Sequence, residues 1–277
     1  MSIHYQQWGN VQAREQILLI HGWGMNSGVW CDIAEYLEEL LPEHLIRAVD
    51  LPGYGKSATL SLQEYSSQTL AQSIEPLLEN KQTTIIAWSM GALVAIEMLN
   101  GCDKNSCDEN SRNENSAESP SIDNLILVGA TPKFVQDNDW PHAVEARIFE
   151  EFSRGLVNDH QATLRRFLAI QALGSRTARD DIKTLQAQLF VRGEPDTKAL
   201  EQGLNILLRE DKRQPLAAIR QIPISLIAGE KDTLAPFKVQ QQLALQENIT
   251  LYSIPSAGHA PFISHPEAFK QILAKVL

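Results

Sequence analysis

Ser89 lies between a β-branched apolar run, Thr83 to Trp88, and a helical run, Ala92 to Leu99. A strand–serine–helix junction of this kind is a nucleophile elbow: its tight turn holds the hydroxyl clear of the backbone, at the positive end of the helix that follows. Strand and helix approach closely there, so the residues two places before and two after the serine must be small. The usual pattern is Gly-x-Ser-x-Gly; this chain has Ala87-Trp88-Ser89-Met90-Gly91, with alanine in place of the first glycine. On the pentapeptide alone, a buried turn serine is the competing reading.

A serine nucleophile needs a base to take its proton, and the base needs an acceptor to orient it. The strand-like run Ile224 to Ala228 leads into Gly229-Glu230-Lys231-Asp232, and Thr250 to Ile254 leads into Pro255-Ser256-Ala257-Gly258-His259. Asp232 and His259 are therefore expected at the carboxyl ends of successive strands, in the chain order Ser, Asp, His. Glu230 competes with Asp232, but Asp232 lies farther along a loop that must reach the histidine. His265 precedes Pro266 and reads as a helix-start residue. The chemistry expected of these residue types in this order is acyl transfer through a serine.

Acyl transfer also needs two N–H groups aimed at the developing oxyanion. One is expected from Met90, the residue after the nucleophile. The other is expected from Trp23, in the loop His21-Gly22-Trp23-Gly24 that follows the strand Ile17 to Ile20. His21 would brace that loop by hydrogen bonding. The stretch Asp50 to Ser57 has a passing likeness to a phosphate loop but lacks the required glycine spacing, and reads as a structural turn. No motif points to ATP, NAD or a metal, and no cofactor is expected.

These residues need a scaffold. Six short apolar runs (17–20, 45–49, 83–88, 125–128, 224–228 and 250–254) alternate with helical patterns at 28–41, 61–78 and 90–99. Strands that are apolar throughout and separated by helices predict an α/β, doubly wound, mostly parallel sheet covered on both faces. Gly101 to Ser121 is almost entirely polar and reads as a disordered surface insertion. From about Trp140 to Glu210 the pattern is helical without strands. Apolar residues at three- and four-residue spacing mark 144–156, 162–173 and 179–190. Such a block reads as a helical cap (136–210) over the sheet's carboxyl edge, with the core formed by 1–135 and 211–277.

The 277 residues are 43% hydrophobic and 21% charged, a globular balance, and carry a net charge of −10. So acidic a chain is a poor general binder of nucleic acid or anionic membrane. No apolar run approaches the ~20 residues that span a bilayer, and Met1 to Asn10 lacks a secretory-signal pattern. Cys31, Cys102 and Cys107 are an odd number with no metal-like grouping, and the latter two read as solvated thiols. The cytoplasm is the expected compartment.

With these residues in hand, the chain resembles the pimeloyl-[acyl-carrier protein] methyl ester esterase family of α/β-hydrolases. Leu19 to Gly24 and Val49 to Gly53 are shared widely among α/β-hydrolases. Arg166-Phe167-Leu168-Ala169-Ile170-Gln171 and His259 to Pro266 are far more particular. The resemblance implies an α/β-hydrolase fold and a methyl ester substrate at the far end of a pimeloyl chain carried on acyl-carrier protein. It gives the triad roles to Ser89, Asp232 and His259, and the oxyanion site to Trp23 and Met90. It also implies that Phe167, Leu168, Ala169, Ile170 and Gln171 wall the acyl channel, and that Arg166, Arg179 and Lys183 contact the carrier. A basic family position is Ala162 here, with Arg165 nearby. Gln161 to Arg192 carries six basic and two acidic residues, a local +4 within the −10 chain. That suits an acidic carrier and its phosphopantetheine phosphate, though a solvated helix face reads the same way. The same machinery would serve a less selective short-acyl carboxylesterase. A non-catalytic ligand-binding relative is the remaining alternative. A monomer is expected.

Overall fold

The computed structural model describes residues 2–105, 120–172, 177–246 and 248–277. Seven strands form one sheet: β1 (His4–Gly9), β2 (Glu15–Ile20), β3 (Leu45–Asp50), β4 (Gln82–Trp88), β5 (Ser121–Val128), β6 (Ile224–Gly229) and β7 (Ile249–Ile254). Their order is β1-β3-β2-β4-β5-β6-β7, and every pairing is parallel except β1 with β3. The strands β3 and β6 are buried along their whole length, as continuous apolar runs in a sheet covered on both faces require. The edge strand β1 (HYQQWG) is half-buried and mixes polar with aromatic residues, so its sequence carries no apolar run.

Helices α1 (Cys31–Leu40) and α11 (Pro266–Val276) pack together, and α2 (Ser67–Ile74) packs on α3 (Met90–Asn105). The pattern at 28–41 divides into a 3₁₀ turn, Ser27–Trp30, followed by α1; that at 61–78 becomes α2 and a second 3₁₀ turn, Glu75–Leu78. The polar stretch from residue 101 to 121 is not wholly irregular. Helix α3 continues through Asn105 and β5 begins at Ser121, so its two ends belong to regular elements. Residues 106–119, including Cys107, lie outside the described residues.

Between β5 and β6 the chain forms α4 (Ala146–Asn158), α5 (His160–Gln171), α6 (Ala178–Val191), α7 (Thr197–Arg209) and α8 (Arg213–Ala218). Asp159 and Asp196 start α5 and α7 as side-chain caps, each accepting a backbone N–H at 2.9 Å. The first four helices pack on one another through Phe149, Phe152 and Leu156 of α4, Phe167 of α5, and Leu200, Leu204 and Leu207 of α7. Of two further helices, α9 (Phe237–Leu243) packs on β6 and β7, and α10 (Pro261–Ser264) meets α6 and leads into α11.

The helical insertion is tied to the sheet by polar bonds as well as packing. Asn26 donates to the Leu189 carbonyl at 3.1 Å, and the Asp196 N–H donates to the Gly53 carbonyl at 2.8 Å. Arg192 donates to Asp50 at 2.9 Å, where Asp50 also accepts from the N–H groups of Ser27 and Lys56. Burial alone would raise the Asp50 carboxyl, but Arg192 and the Ser27 amide outweigh it and hold it below the usual range. Arg192, half-buried, therefore belongs to the internal anchorage rather than to an exposed basic face, and Asp181 is buried. Arg192→Met leaves a buried carboxylate short of its counter-ion. It should lower unfolding stability by roughly 3 kcal/mol in urea titration; unchanged stability would show that the pair contributes nothing.

Candidate active site

Ser89 falls between β4 and α3 with φ at +56°, a left-handed conformation that serine rarely adopts. The turn is fixed on three sides. The Ser89 N–H donates to the Val128 carbonyl at 3.0 Å. A Cβ on Gly91 would lie 2.7 Å from the His21 carbonyl, and one on Gly22 would lie 2.9 Å from the Ser89 Cβ. Glycine is thus required on the helix side of the serine. On the strand side, Ala87 is fully buried within β4, between Ile20 and Leu127, so a methyl group fits where glycine is usual.

The hydroxyl meets its base. His259 Nε2 is 2.8 Å from Ser89 Oγ, and His259 Nδ1 is 2.8 Å from Asp232 Oδ2. The second carboxylate oxygen of Asp232 accepts from the N–H groups of Leu234 and Ala235 at 2.8 and 2.9 Å, which locks its orientation. All three side chains are buried. A carboxylate on Nδ1 leaves Nε2 as the acceptor facing the serine, the tautomer a general base needs. Glu230 instead pairs with Ser253 at the surface, and His265 caps α11 beside Ser264.

Two residues that the motifs did not indicate hold this relay. The Trp88 indole donates to the His259 carbonyl at 2.8 Å, and its ring lies 5.6 Å from the imidazole. Gly129, at φ +49°, leaves no room for a side chain: a Cβ would sit 2.7 Å from the His259 carbonyl and 3.3 Å from Asp232 Oδ2. The one signal in the sequence is a glycine directly after the β5 run. His259 is further held by donating its N–H to the Gln171 carbonyl at 3.0 Å, which brings the end of α5 to the base.

The loop His21 to Gly24 runs against Ser89, as the Gly22 contact requires. His21 Nδ1 is 2.8 Å from the Gly22 carbonyl, and its Nε2 accepts from the Leu51 N–H at 3.1 Å, so the ring braces the loop. Met90 opens α3, where a helix leaves its first N–H groups unpaired. Of the α5 residues, Phe167 meets Trp23 edge-on at 4.5 Å, and Leu168 and Gln171 are buried. Ile170 is half-buried, whereas Ala169 is exposed. Arg166 is exposed, pairs with Glu151 at 3.4 Å and covers Phe152; Arg179 and Lys183 are exposed, the latter 3.4 Å from Asp180.

A buried Ser–His–Asp relay at the carboxyl edge of a parallel sheet is the equipment of an ester hydrolase. A sequence profile of the alpha/beta hydrolase family matches residues 17–272. A relative from Pseudoalteromonas atlantica, named pimeloyl-[acyl-carrier protein] methyl ester esterase, is 36% identical over 263 residues, covering 94% of this chain and 93% of its own length. Relatives of the same name from Pectobacterium carotovorum and Xanthomonas oryzae are 35% and 33% identical, covering 93% and 94% of this chain and 92% and 93% of their own lengths. Among solved structures, an esterase from Exiguobacterium antarcticum superposes with a TM-score of 0.78 at 22% identity, covering 99% of this chain and 94% of its own. A hydrolase from Oleispira antarctica gives 0.78 at 20%, covering 98% and 93%. The chain belongs to the alpha/beta hydrolase family and, within it, to the family of pimeloyl-[acyl-carrier protein] methyl ester esterases.

Gly129→Ala should displace His259 and Asp232 and lower kcat for any ester roughly 100-fold, by the sensitivity of relayed proton transfer to small misplacements; wild-type turnover would contradict the close contact. A second outcome concerns pH. Burial pushes the His21 imidazole from 6.5 down to about 4. Between those values the unfolded chain binds a proton here that the folded chain does not, so stability falls as pH falls through that window. His21→Gln should flatten this acid dependence by up to about 3 kcal/mol, read from urea midpoints at pH 7 and pH 4; an unaltered slope would contradict it.

Proposed function

We propose that the chain hydrolyses the methyl ester of pimeloyl-[acyl-carrier protein], releasing methanol and the free carboxylate on its carrier, as a step in biotin biosynthesis. The observation that carries this reading is the unbroken relay from Asp232 through His259 to Ser89, in a chain whose relatives bear that enzyme's name.

Ser89 Oγ attacks the ester carbonyl while His259 Nε2 takes its proton. The N–H groups of Trp23 and Met90 receive the charge that develops on the carbonyl oxygen. The tetrahedral intermediate collapses, the bond to methoxide oxygen breaks, and His259 returns its proton to form methanol. Water then attacks the acyl-serine, giving its proton to His259, and Ser89 leaves with that proton to restore the resting site. Asp232 keeps the imidazole in the right tautomer and stabilises its charged form.

Residues 136–210 act as a cap over a core of 1–135 and 211–277. Phe167, Leu168, Ile170 and Gln171 line the apolar approach to Ser89, with Ala169 at its outer edge. Arg166, Arg179 and Lys183, joined by Arg165, offer exposed positive charge to an acidic carrier. Among the described residues Arg166 makes an exposed pair with Glu151, an interaction weak enough to exchange for another. Arg192 takes no part, being committed to Asp50. The protein acts as a cytoplasmic monomer, without nucleic acid or membrane as partner. Among the described residues no helix is long and apolar enough to cross a membrane.

The test compares a carrier-bound methyl ester with a free p-nitrophenyl ester. Arg166→Glu combined with Arg179→Glu should lower kcat/KM for the carrier-bound ester at least ~10-fold, with a loss that shrinks as salt rises. The free ester should lose less than about 2-fold, since exposed charges outside the buried relay steer association rather than the chemical step. Equal losses on both would sink carrier recognition by these residues and favour a general short-acyl esterase.

A further inference from the structure

Helix α7 carries a notch at Gly203, a buried position facing the core in ordinary helical backbone. A Cβ there would stand 2.6 Å from Trp23 Cδ1, 3.1 Å from Trp23 Nε1 and 2.7 Å from the Tyr54 hydroxyl. Both aromatic side chains use the space to reach the helix backbone. Trp23 Nε1 donates to the Leu200 carbonyl at 2.8 Å, and the Tyr54 hydroxyl donates to the Ala199 carbonyl at 3.2 Å. The indole also meets Phe167 of α5 edge-on, with ring centroids 4.5 Å apart, and is itself buried. Gly24, next in the loop, leaves room for Leu164 of α5: a Cβ there would lie 3.2 Å from Leu164 Cδ2. Trp23 is thus keyed into two helices of the insertion while its backbone runs past Ser89.

A glycine inside a helix is costly by itself. Alanine would favour α7 by about 1 kcal/mol, so helix propensity gives no reason for glycine here. The close approach of Trp23 does.

We propose that Gly203 is a positioning residue for the oxyanion site: its missing side chain seats the Trp23 indole, and that seat fixes the Trp23 N–H relative to Ser89. The proposal rests on the assignment of that N–H to the oxyanion. A methyl group at 203 pushes against a ring that is buried, packed on Phe167 and bonded to the Leu200 carbonyl, so the displacement passes into the Trp23 backbone. The oxyanion forms only after attack, and its stabilisation acts on kcat and on tetrahedral analogues, leaving ester binding in the ground state largely untouched.

The experiment measures kcat and KM for a p-nitrophenyl ester, and the Ki of an alkyl trifluoromethyl ketone that forms a hemiketal with serine. Wild type, Gly203→Ala, Trp23→Phe and the double variant are compared, with the melting temperature of each. Gly203→Ala is expected to lower kcat by ~10-fold or more and to weaken the ketone by the same factor, with KM within about 2-fold. Trp23→Phe keeps an aromatic ring but loses the Nε1 donor. The freed ring can swing away from a methyl group, so adding Gly203→Ala in that background should cost less than about 2-fold more, the signature of coupled sites. A full-sized effect in the Trp23→Phe background would overturn the proposal, as would a folded Gly203→Ala with wild-type kcat. If Gly203→Ala does not fold, Trp23→Phe decides alone: equal losses in kcat and ketone affinity support the seat, and none overturns it. Wild type that the ketone does not inhibit would instead overturn the serine-hydrolase reading, and this inference with it.

Discussion

The backbone at Ser89 is the constraint on which the rest of the structure depends. Holding a non-glycine residue at φ +56° costs on the order of 1–2 kcal/mol, and the surroundings must outweigh that cost. They do so with a parallel sheet whose β4 is hydrogen-bonded on both sides, a helix that starts immediately after the serine, and glycines at 22 and 91 that admit neighbouring backbone. The Ser89 N–H closes on the carbonyl of Val128 at the end of β5, which pins the turn to the adjacent strand. Once the turn is fixed, the direction of the hydroxyl is fixed with it.

Everything that touches the hydroxyl is supported from a second direction. The His259 ring is set by Asp232 and Ser89, and its backbone by Trp88 and Gln171. Asp232 is set by two N–H groups of its own loop. The loop His21 to Gly24 is braced from the core by His21 and gripped from the insertion by α5 and α7. The insertion is anchored in turn by Asp50 with Arg192, and by Asn26 with the end of α6. Its position is therefore coupled to that of the Ser–His–Asp relay. The active-site side chains are buried, and in water-excluded surroundings aligned N–H groups stabilise charge far better than in water.

What the sequence made legible follows from where the physics is local. The central strands are buried on both faces, so each is a run of apolar residues, and the residues at their carboxyl ends can be read off in order as Ser89, Asp232 and His259. The edge strand β1 could not be read, because one side faces solvent and HYQQWG has no run to find. Trp88, Gly129 and Gly203 were invisible for a different reason. Each matters through a contact with a residue 103 to 180 positions away, and only the fold brings those partners together. The basic stretch Gln161 to Arg192 shows the same limit from the side of charge. A sum over sequence counts Arg192 and Asp181 as surface charge, while Asp181 is buried and Arg192 is half-buried with its guanidinium turned onto Asp50.

The central claim is that Ser89 forms an acyl-enzyme with a carrier-borne methyl ester. The most direct measurement mixes enzyme in excess with methyl pimeloyl-carrier protein in a quenched-flow instrument, follows methanol, and takes the intact mass of the enzyme at each time. The account predicts that methanol appears no later than free pimeloyl-carrier protein, with a transient adduct of acyl-carrier mass that maps to Ser89. It also predicts that Ser89→Ala yields neither. Methanol release that survives the loss of Ser89, or an adduct on another residue, would contradict it.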